Sequence, residues 1–109
     1  MRLGGAWLAE SGFVPGSVVT ARMERGSITI DLVGTLTPDA PKNWHKLVVY
    51  AREHRLRILQ VRTGAGRPYI GLDRTCFERS ALNPRNAMTA DVSHGVIVLT
   101  KFQKLQKPE

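Results

Sequence analysis

Residues 3–16 read LGGAWLAESGFVPG, and residues 17–31 continue as SVVTARMERGSITID. The first run predicts a helix of one or two turns, because Trp7, Leu8 and Ser11 have helical spacing and Gly12 can adopt the left-handed conformation that ends a helix. The second run alternates apolar and polar residues on both sides of a polar turn, where Gly26 suits a tight connection. The chain is therefore predicted to begin with a short helix followed by a β-hairpin.

The same pattern returns near the end of the chain. The two segments align without gaps when Leu3 is placed on Leu72, and seven positions are then identical. We call this constant shift in residue number the repeat shift. The identical positions are Leu3 and Leu72, Ser11 and Ser80, Pro15 and Pro84, Thr20 and Thr89, Ala21 and Ala90, Gly26 and Gly95, and Ile28 and Ile97. Chance similarity is the alternative, but the matches include turn-forming positions with specific backbone roles, which favours an internal duplication. Each half would supply one helix and one hairpin, and the halves should pack as a pseudo-twofold unit because neither can bury its apolar face alone.

The segment between the two halves is interpreted as a connection that contains a helix. Its apolar residues at helical spacing are Trp44, Leu47, Val48 and Ala51. The run LVVY at 47–50 would also suit a strand, and the longer helical spacing favours the helix.

After this connection the pattern returns to β structure. Leu56–Arg62 is predicted as a strand, residues 63–68 as a turn, and Tyr69–Leu72 as the start of the next strand. The whole chain is predicted to form one compact domain, residues 1–109, because its length suits a single core. Its parts are a first half at 1–32, the connection at 33–55, a second half at 56–100 and a basic tail at 101–109.

The composition favours a polyanionic partner. Sixteen Lys and Arg residues outnumber nine Asp and Glu residues, so the formal net charge is +7 and the pI is near 10.3. Eleven of these cations are arginines, whose planar guanidinium groups pair with phosphate oxygens through two hydrogen bonds. The alternative is a solvated basic surface that serves only solubility.

Several classes of protein are not expected from the sequence. The single cysteine, Cys76, excludes an internal disulfide, and the first residues show no signal segment, so a cytoplasmic protein is predicted. No apolar run approaches the roughly 20 residues that span a bilayer, and no membrane association is expected. No metal and no cofactor is expected, because no cluster has metal-ligand spacing and residues 64–66 lack the context of a phosphate-binding loop.

Residues 3–19, followed by the hairpin at 24–30, resemble the SymE-like toxins through the run G-x-W-L-x-x-x-G-F-x-P-G. A degenerate version extends from Leu56 to Leu99, where Cys76 replaces the tryptophan and Arg85 replaces the glycine of the turn. The resemblance implies a mainly β fold with short helices (α+β), namely the swapped-hairpin barrel of the AbrB superfamily. That barrel normally needs two chains, whereas here one chain would supply both halves.

The resemblance also implies a function. Members of this family are described as toxins that act on RNA, and relatives with the same fold are mostly DNA-binding regulators or antitoxins. We therefore expect a nucleic-acid-binding protein of the toxin–antitoxin type, with DNA and RNA both left open as ligands.

An endoribonuclease is the first alternative. Cleavage of RNA without a metal needs a general base and acid with a nearby cation. His54 beside Glu53 is the candidate pair, although a histidine at a helix end is more often a surface residue. Cys76 is expected to be a packed core thiol.

Arginines from both halves are the predicted phosphate contacts. We expect Arg52, Arg55, Arg57 and Arg62 to form one basic strip along a helix end and the following strand. The full predicted set is Arg22, Arg25, Arg52, Arg55, Arg57, Arg62, Arg67 and Arg74. A third alternative is a protein-interaction module that pairs through exposed β-edges or the Trp44 surface, and association into a homodimer is left open.

Overall fold

The chain folds into a mainly β structure of two antiparallel sheets and three short helices. A computed structural model describes residues 2–35, 40–83, 85 and 88–101, without the side chains of 34, 35 and 40–43. The strands are β1 Arg2–Gly4, β2 Ser17–Glu24, β3 Ser27–Thr35, β4 Leu56–Gln60, β5 Arg62–Gly64, β6 Arg67–Gly71, β7 Met88–Ser93 and β8 Val96–Lys101. The helices are α1 Ala6–Glu10, α2 Ala40–Glu53 and α3 Arg74–Ser80.

The predicted local elements are present in both halves. Helix α1 and the β2–β3 hairpin form the first half, and helix α3 and the β7–β8 hairpin form the second. The connection contains helix α2, so helical spacing was the correct guide there. Pro84 and the tail beyond Lys101, both part of the sequence predictions, lie outside the described residues.

The prediction of one strand over 56–62 is wrong, because the chain leaves one sheet and enters the other at Val61. This residue is buried, its N–H donates to the Ser17 carbonyl at 2.9 Å, and its carbonyl accepts from Gly16 N–H at 2.9 Å. The five-stranded sheet has the order β4-β2-β3-β8-β7, and the three-stranded sheet has the order β1-β6-β5. The predicted turn at 63–68 is also shorter than expected, since Ala65 and Gly66 alone connect β5 to β6.

Each hairpin docks on the helix of the other half. The Gly26 N–H at the β2–β3 turn donates to the Ser80 carbonyl at the end of α3, at 2.7 Å. The Gly95 N–H at the β7–β8 turn donates to the Ser11 carbonyl just after α1, at 2.8 Å. These two hydrogen bonds are equivalent under the repeat shift, so each hairpin turn contacts the end of the opposite helix in the same way.

The sheet registers obey the same shift. Strands β1 and β6 place Arg2 opposite Gly71, and strands β3 and β8 place Thr29 opposite Val98. In both pairs the two partners are also counterparts under the repeat shift. A residue faces its own counterpart across an antiparallel ladder only where a twofold axis passes between the strands, so both sheets share one approximate twofold relation.

The core lies between the inner faces of the two sheets and is closed by α1 and α3. Its largest fully buried side chains are Leu8, Phe13, Ile28, Ile30, Ile70, Ile97 and Leu99. Burial of each such side chain stabilises the fold by roughly 1.5–3 kcal/mol before entropy is counted. In the described part of the chain, no helix has the length and apolar character that a membrane span requires.

The residues that follow the two helices give a test of the equivalence between the halves. Gly12 and Ala81 both have left-handed backbones, with φ of 93° and 60°, and they are related by the repeat shift. Ala81→Gly should raise the free energy of unfolding by about 0.5–1 kcal/mol, because alanine is strained in this conformation. Gly12→Ala should lower it by about 1–2 kcal/mol or more, since a Cβ there would also lie 3.1 Å from His94 Cε1.

Denaturant titration of the two variants and the parent measures both effects. Opposite signs at these equivalent positions are the expected result. A loss of stability in both variants would contradict the backbone conformation described for Ala81.

Candidate nucleic-acid interface

The outer face of the three-stranded sheet brings three arginines together around one tyrosine. Directly paired residues of an antiparallel ladder lie on the same face, and successive residues alternate between faces. Leu3 and Ile70 point into the core, so their neighbours in the strands point outward. We call this outward surface the arginine face, and its residues are Arg2, Gly4, Arg62, Gly64, Arg67, Tyr69 and Gly71.

Tyr69 holds the centre of the arginine face. The Arg2 guanidinium carbon lies 4.5 Å from the centroid of the Tyr69 ring, a cation–π contact that contributes about 0.5–1 kcal/mol at an exposed site. A Cβ on Gly64 would lie 3.0 Å from Tyr69 Cε1 and 3.7 Å from Arg2 Nη1. The absence of a side chain at Gly64 therefore leaves space for the Tyr69 ring.

Two hollows are lined in part by Tyr69. The first, of about 440 Å³, lies between the sheets and α2 and is lined by Trp44, Ile58, Arg62 and Tyr69 among others. The second, of about 360 Å³, is lined by Arg2, Gly5, Gly64, Ala65, Arg67, Pro68 and Tyr69 among others. Residues of the arginine face thus line both hollows, and Trp44, whose exposed fraction is 41%, lines the first.

The structure contradicts the predicted basic strip. Arg57 lies on the core side of the five-stranded sheet, opposite Ala21, and its guanidinium contacts the Asp73 carboxylate. Arg62 lies on the other sheet, because the chain changes sheets at Val61. Arg57 and Arg62 therefore do not lie on one face of a single strand, as the alternation in the sequence predicted.

The other predicted arginines are distributed over the surface. Arg22 forms an ion pair with Glu24 at 3.0 Å, and Arg74 forms one with Glu78 at 2.9 Å. The remaining three are exposed, at the β2–β3 turn and at the end of α2: Arg25, Arg52 and Arg55. Of the eight predicted contacts, the structure joins Arg62 and Arg67 on the arginine face.

Arg62 and Arg67 differ from the ion-paired arginines in their surroundings. Both are exposed, and no carboxylate within the described residues forms an ion pair with either of them. Their guanidinium groups therefore remain free to pair with a phosphate group of a ligand.

Sequence reasoning missed Arg2 and Tyr69. The alternation of Arg2, Leu3 and Gly4 is compatible with a strand, but three residues are too few to predict one. The available signal was the similar alternation at 67–71, which has an arginine at its start and glycine at its end. Only the pairing of β1 with β6 brings Arg2 to Tyr69.

Asp73 caps the start of α3 and forms an ion pair with Arg57. The Asp73 carboxylate accepts a hydrogen bond from Cys76 N–H at 3.2 Å, which caps the helix, and it also binds Arg57. Burial alone would raise the pKa of Asp73, but these hydrogen bonds outweigh burial and lower that pKa. Burial, reinforced by the nearby Asp73 charge, raises the pKa of the Cys76 thiol. Cys76 is fully buried in the core, as the sequence predicted.

The candidate catalytic pair lies at the end of α2. His54 Nδ1–H donates to the Tyr50 carbonyl at 2.9 Å, and the two rings stack with centroids 4.1 Å apart. Glu53 is exposed beside it. Neither residue lines the two hollows at Tyr69, as far as the described residues define them. Local stacking on the helix surface accounts for the position of His54.

No group of three or more His, Cys, Asp or Glu side chains with the arrangement of a metal site occurs among the described residues. Comparison of the chain with protein-family models, with curated proteins and with solved structures gives no match.

The Asp73 contacts predict a specific dependence of stability on pH. Because its pKa is lower in the folded state, the Asp73 carboxylate stabilises the fold above its ordinary pKa of about 4, and this contribution is lost as the pH falls through the folded-state pKa. Asp73→Asn keeps a capping side chain but removes the charge. It should lower the free energy of unfolding at pH 7 by about 0.5–1 kcal/mol, a small value because the pair is partly exposed.

Denaturant titrations between pH 7 and pH 3 measure this contribution. The difference between the parent and Asp73→Asn should shrink on acidification. Glu78→Gln, which removes a carboxylate from the exposed pair with Arg74, is the matched control and should show little change. A constant difference between parent and Asp73→Asn at all pH values would contradict this role of the Asp73 charge.

Proposed function

We propose that the protein binds nucleic acid and that the arginine face is where it contacts the phosphate backbone. The observation that carries this proposal is the placement of Arg2, Arg62 and Arg67 on the same outward sheet face as Tyr69. Guanidinium groups pair with phosphate oxygens through two hydrogen bonds each, and the net charge of +7 attracts polyanions over a longer range.

The arrangement suits backbone contacts better than reading of bases. One side of the Tyr69 ring is occupied by Arg2, and the ring also packs closely against Gly64, where a Cβ would lie 3.0 Å from Tyr69 Cε1. The ring therefore acts mainly as a support that orients a cation. Aromatic residues form only 6% of the sequence, which also argues against extensive stacking on unpaired bases.

We further propose that the fold is the swapped-hairpin barrel of the AbrB and SymE-like proteins, formed here by one chain. The reciprocal hydrogen bonds from Gly26 to Ser80 and from Gly95 to Ser11 support this proposal, since each hairpin docks on the opposite half. The resemblance of residues 3–30 to the SymE-like toxins supports a cytoplasmic nucleic-acid binder of the toxin–antitoxin type.

Paired double variants test the arginine face directly. Arg62→Gln with Arg67→Gln removes two charges from that face, while Arg22→Gln with Arg74→Gln removes two charges from ion pairs elsewhere. Both variants have the same net charge. The first should weaken binding about tenfold to a hundredfold and reduce the slope of log affinity against log salt by about two, because each phosphate contact contributes about one. The second should change the affinity much less.

The measurement is a salt titration with fluorescent duplex DNA and single-stranded RNA, followed by a gel of the RNA. Equal losses in the two double variants would show that overall charge, and not the arginine face, determines binding. RNA fragments that disappear with His54→Ala would instead support the endoribonuclease. Absence of binding to both ligands would support the protein-interaction module.

A further inference from the structure

Strand β7 forms one edge of the five-stranded sheet. It is the last strand in the order β4-β2-β3-β8-β7, and its outer edge pairs with no other strand in the described part of the chain. The equivalent edge in the first half is closed, because β4 pairs with β2 through Val19 and Ala21. The antiparallel pairing of β4 with β2 therefore shows how a strand can pair with the equivalent edge of β7.

The open edge has a defined set of hydrogen-bonding groups. The two-residue turn at His94 and Gly95 makes Ser93 and Val96 a hydrogen-bonded pair. Every second residue of β7 before Ser93, namely Asp91 and Thr89, therefore also points its backbone N–H and C=O groups to β8. Met88, Ala90 and Val92 consequently direct their N–H and C=O groups outward. Their equivalents in the first half include Val19 and Ala21, whose outward groups bind β4.

The side chains of these three edge residues are apolar and incompletely covered. Ala90 is exposed and Val92 has an exposed fraction of 37%, whereas their counterparts in β2 are Ala21, which is fully buried, and Met23, which is half-buried. An uncovered apolar edge strand with free backbone groups is a site for strand addition.

We propose that β7 pairs with β7 of a second copy of this chain to form a twofold homodimer. The pairing is antiparallel and centred on Ala90, so that Ala90 faces Ala90 of the partner copy and Met88 faces Val92 on both sides. All three outward residues then form hydrogen-bonded pairs. The two five-stranded sheets become one continuous sheet of ten strands.

The charges favour this register, and closure favours a twofold pair of copies. With Ala90 at the centre, Asp91 lies opposite the Thr89 hydroxyl of the other copy. A shift that centres the pairing on Asp91 would place two carboxylates opposite each other, which is unfavourable. A twofold contact also closes on itself, whereas pairing of the β7 edge with the opposite sheet edge at β4 would extend without limit.

The first test is the mass of the protein in solution over a range of concentrations. The unmodified chain should form a dimer, and Val92→Lys should raise its dissociation constant about tenfold or more, because charge on an edge strand opposes pairing. Val33→Lys is the matched control, since Val33 is a valine with an exposed fraction of 51% at a bulge of β3. Ala90→Pro should also weaken the dimer while keeping the β7–β8 ladder, because the Ala90 N–H points outward.

A cysteine pair tests the register itself. Ala90→Cys should give a disulfide-linked dimer on mild oxidation, because hydrogen-bonded partners have Cα atoms about 5.5 Å apart. Thr89→Cys should link poorly, since its nearest counterpart lies on a diagonal about 7–8 Å away. The native Cys76 is buried and should not interfere.

The outcomes decide the proposal. A dimer that is weakened by Val92→Lys but not by Val33→Lys, and that links through Ala90→Cys, supports it. A monomer at every concentration overturns it and leaves the edge to another occupant, such as the tail or a different protein. A dimer insensitive to both edge substitutions, with circular dichroism showing that the variants are folded, also overturns it.

Discussion

The reciprocal contact between each hairpin and the opposite half is the constraint on which the rest of the structure depends. A helix and a two-stranded hairpin cannot bury their apolar face alone, and here each hairpin turn is anchored to the carbonyl at the end of the opposite helix. The pairing of β3 with β8 then joins the hairpins into one sheet and buries Ile28, Ile30 and Ile97. Loss of either half would leave the other with an open apolar surface.

The same relation between the halves determines where the arginine face forms. The approximate twofold relation passes between Arg2 and Gly71, so the three-stranded sheet lies across it. The counterpart of Arg2 is a glycine, and β5 pairs with β6 while no strand of the described residues takes the equivalent place beside β1. The two halves therefore build one asymmetric basic surface, whereas a true dimer of identical chains would present a symmetric one. Tyr69 contributes from β6, where it orients Arg2.

The connection between the halves breaks the symmetry in a second place. It supplies α2, and β4, which follows α2, pairs with the outer edge of β2, whereas the corresponding edge of β7 pairs with no strand among the described residues. Met23 and Val92 illustrate the result, since equivalent apolar positions differ in how completely they are covered. A single segment between the halves cannot cover both edges of a sheet. The two edges of the five-stranded sheet therefore differ, although the halves are similar.

The sequence alone determined the features that depend on neighbours along the chain. The spacing around Trp7, the alternation on both sides of Gly26 and the helical spacing from Trp44 to Ala51 each predicted the element that forms, and the repeat shift located the second helix and hairpin. The tertiary structure alone decided which arginines share a surface. The face of a strand on which a residue lies depends on which strands pair with it and on where the chain changes sheets. Val61 separates Arg57 from Arg62 for this reason, and strand pairing joins Arg2 to Arg67 across most of the sequence.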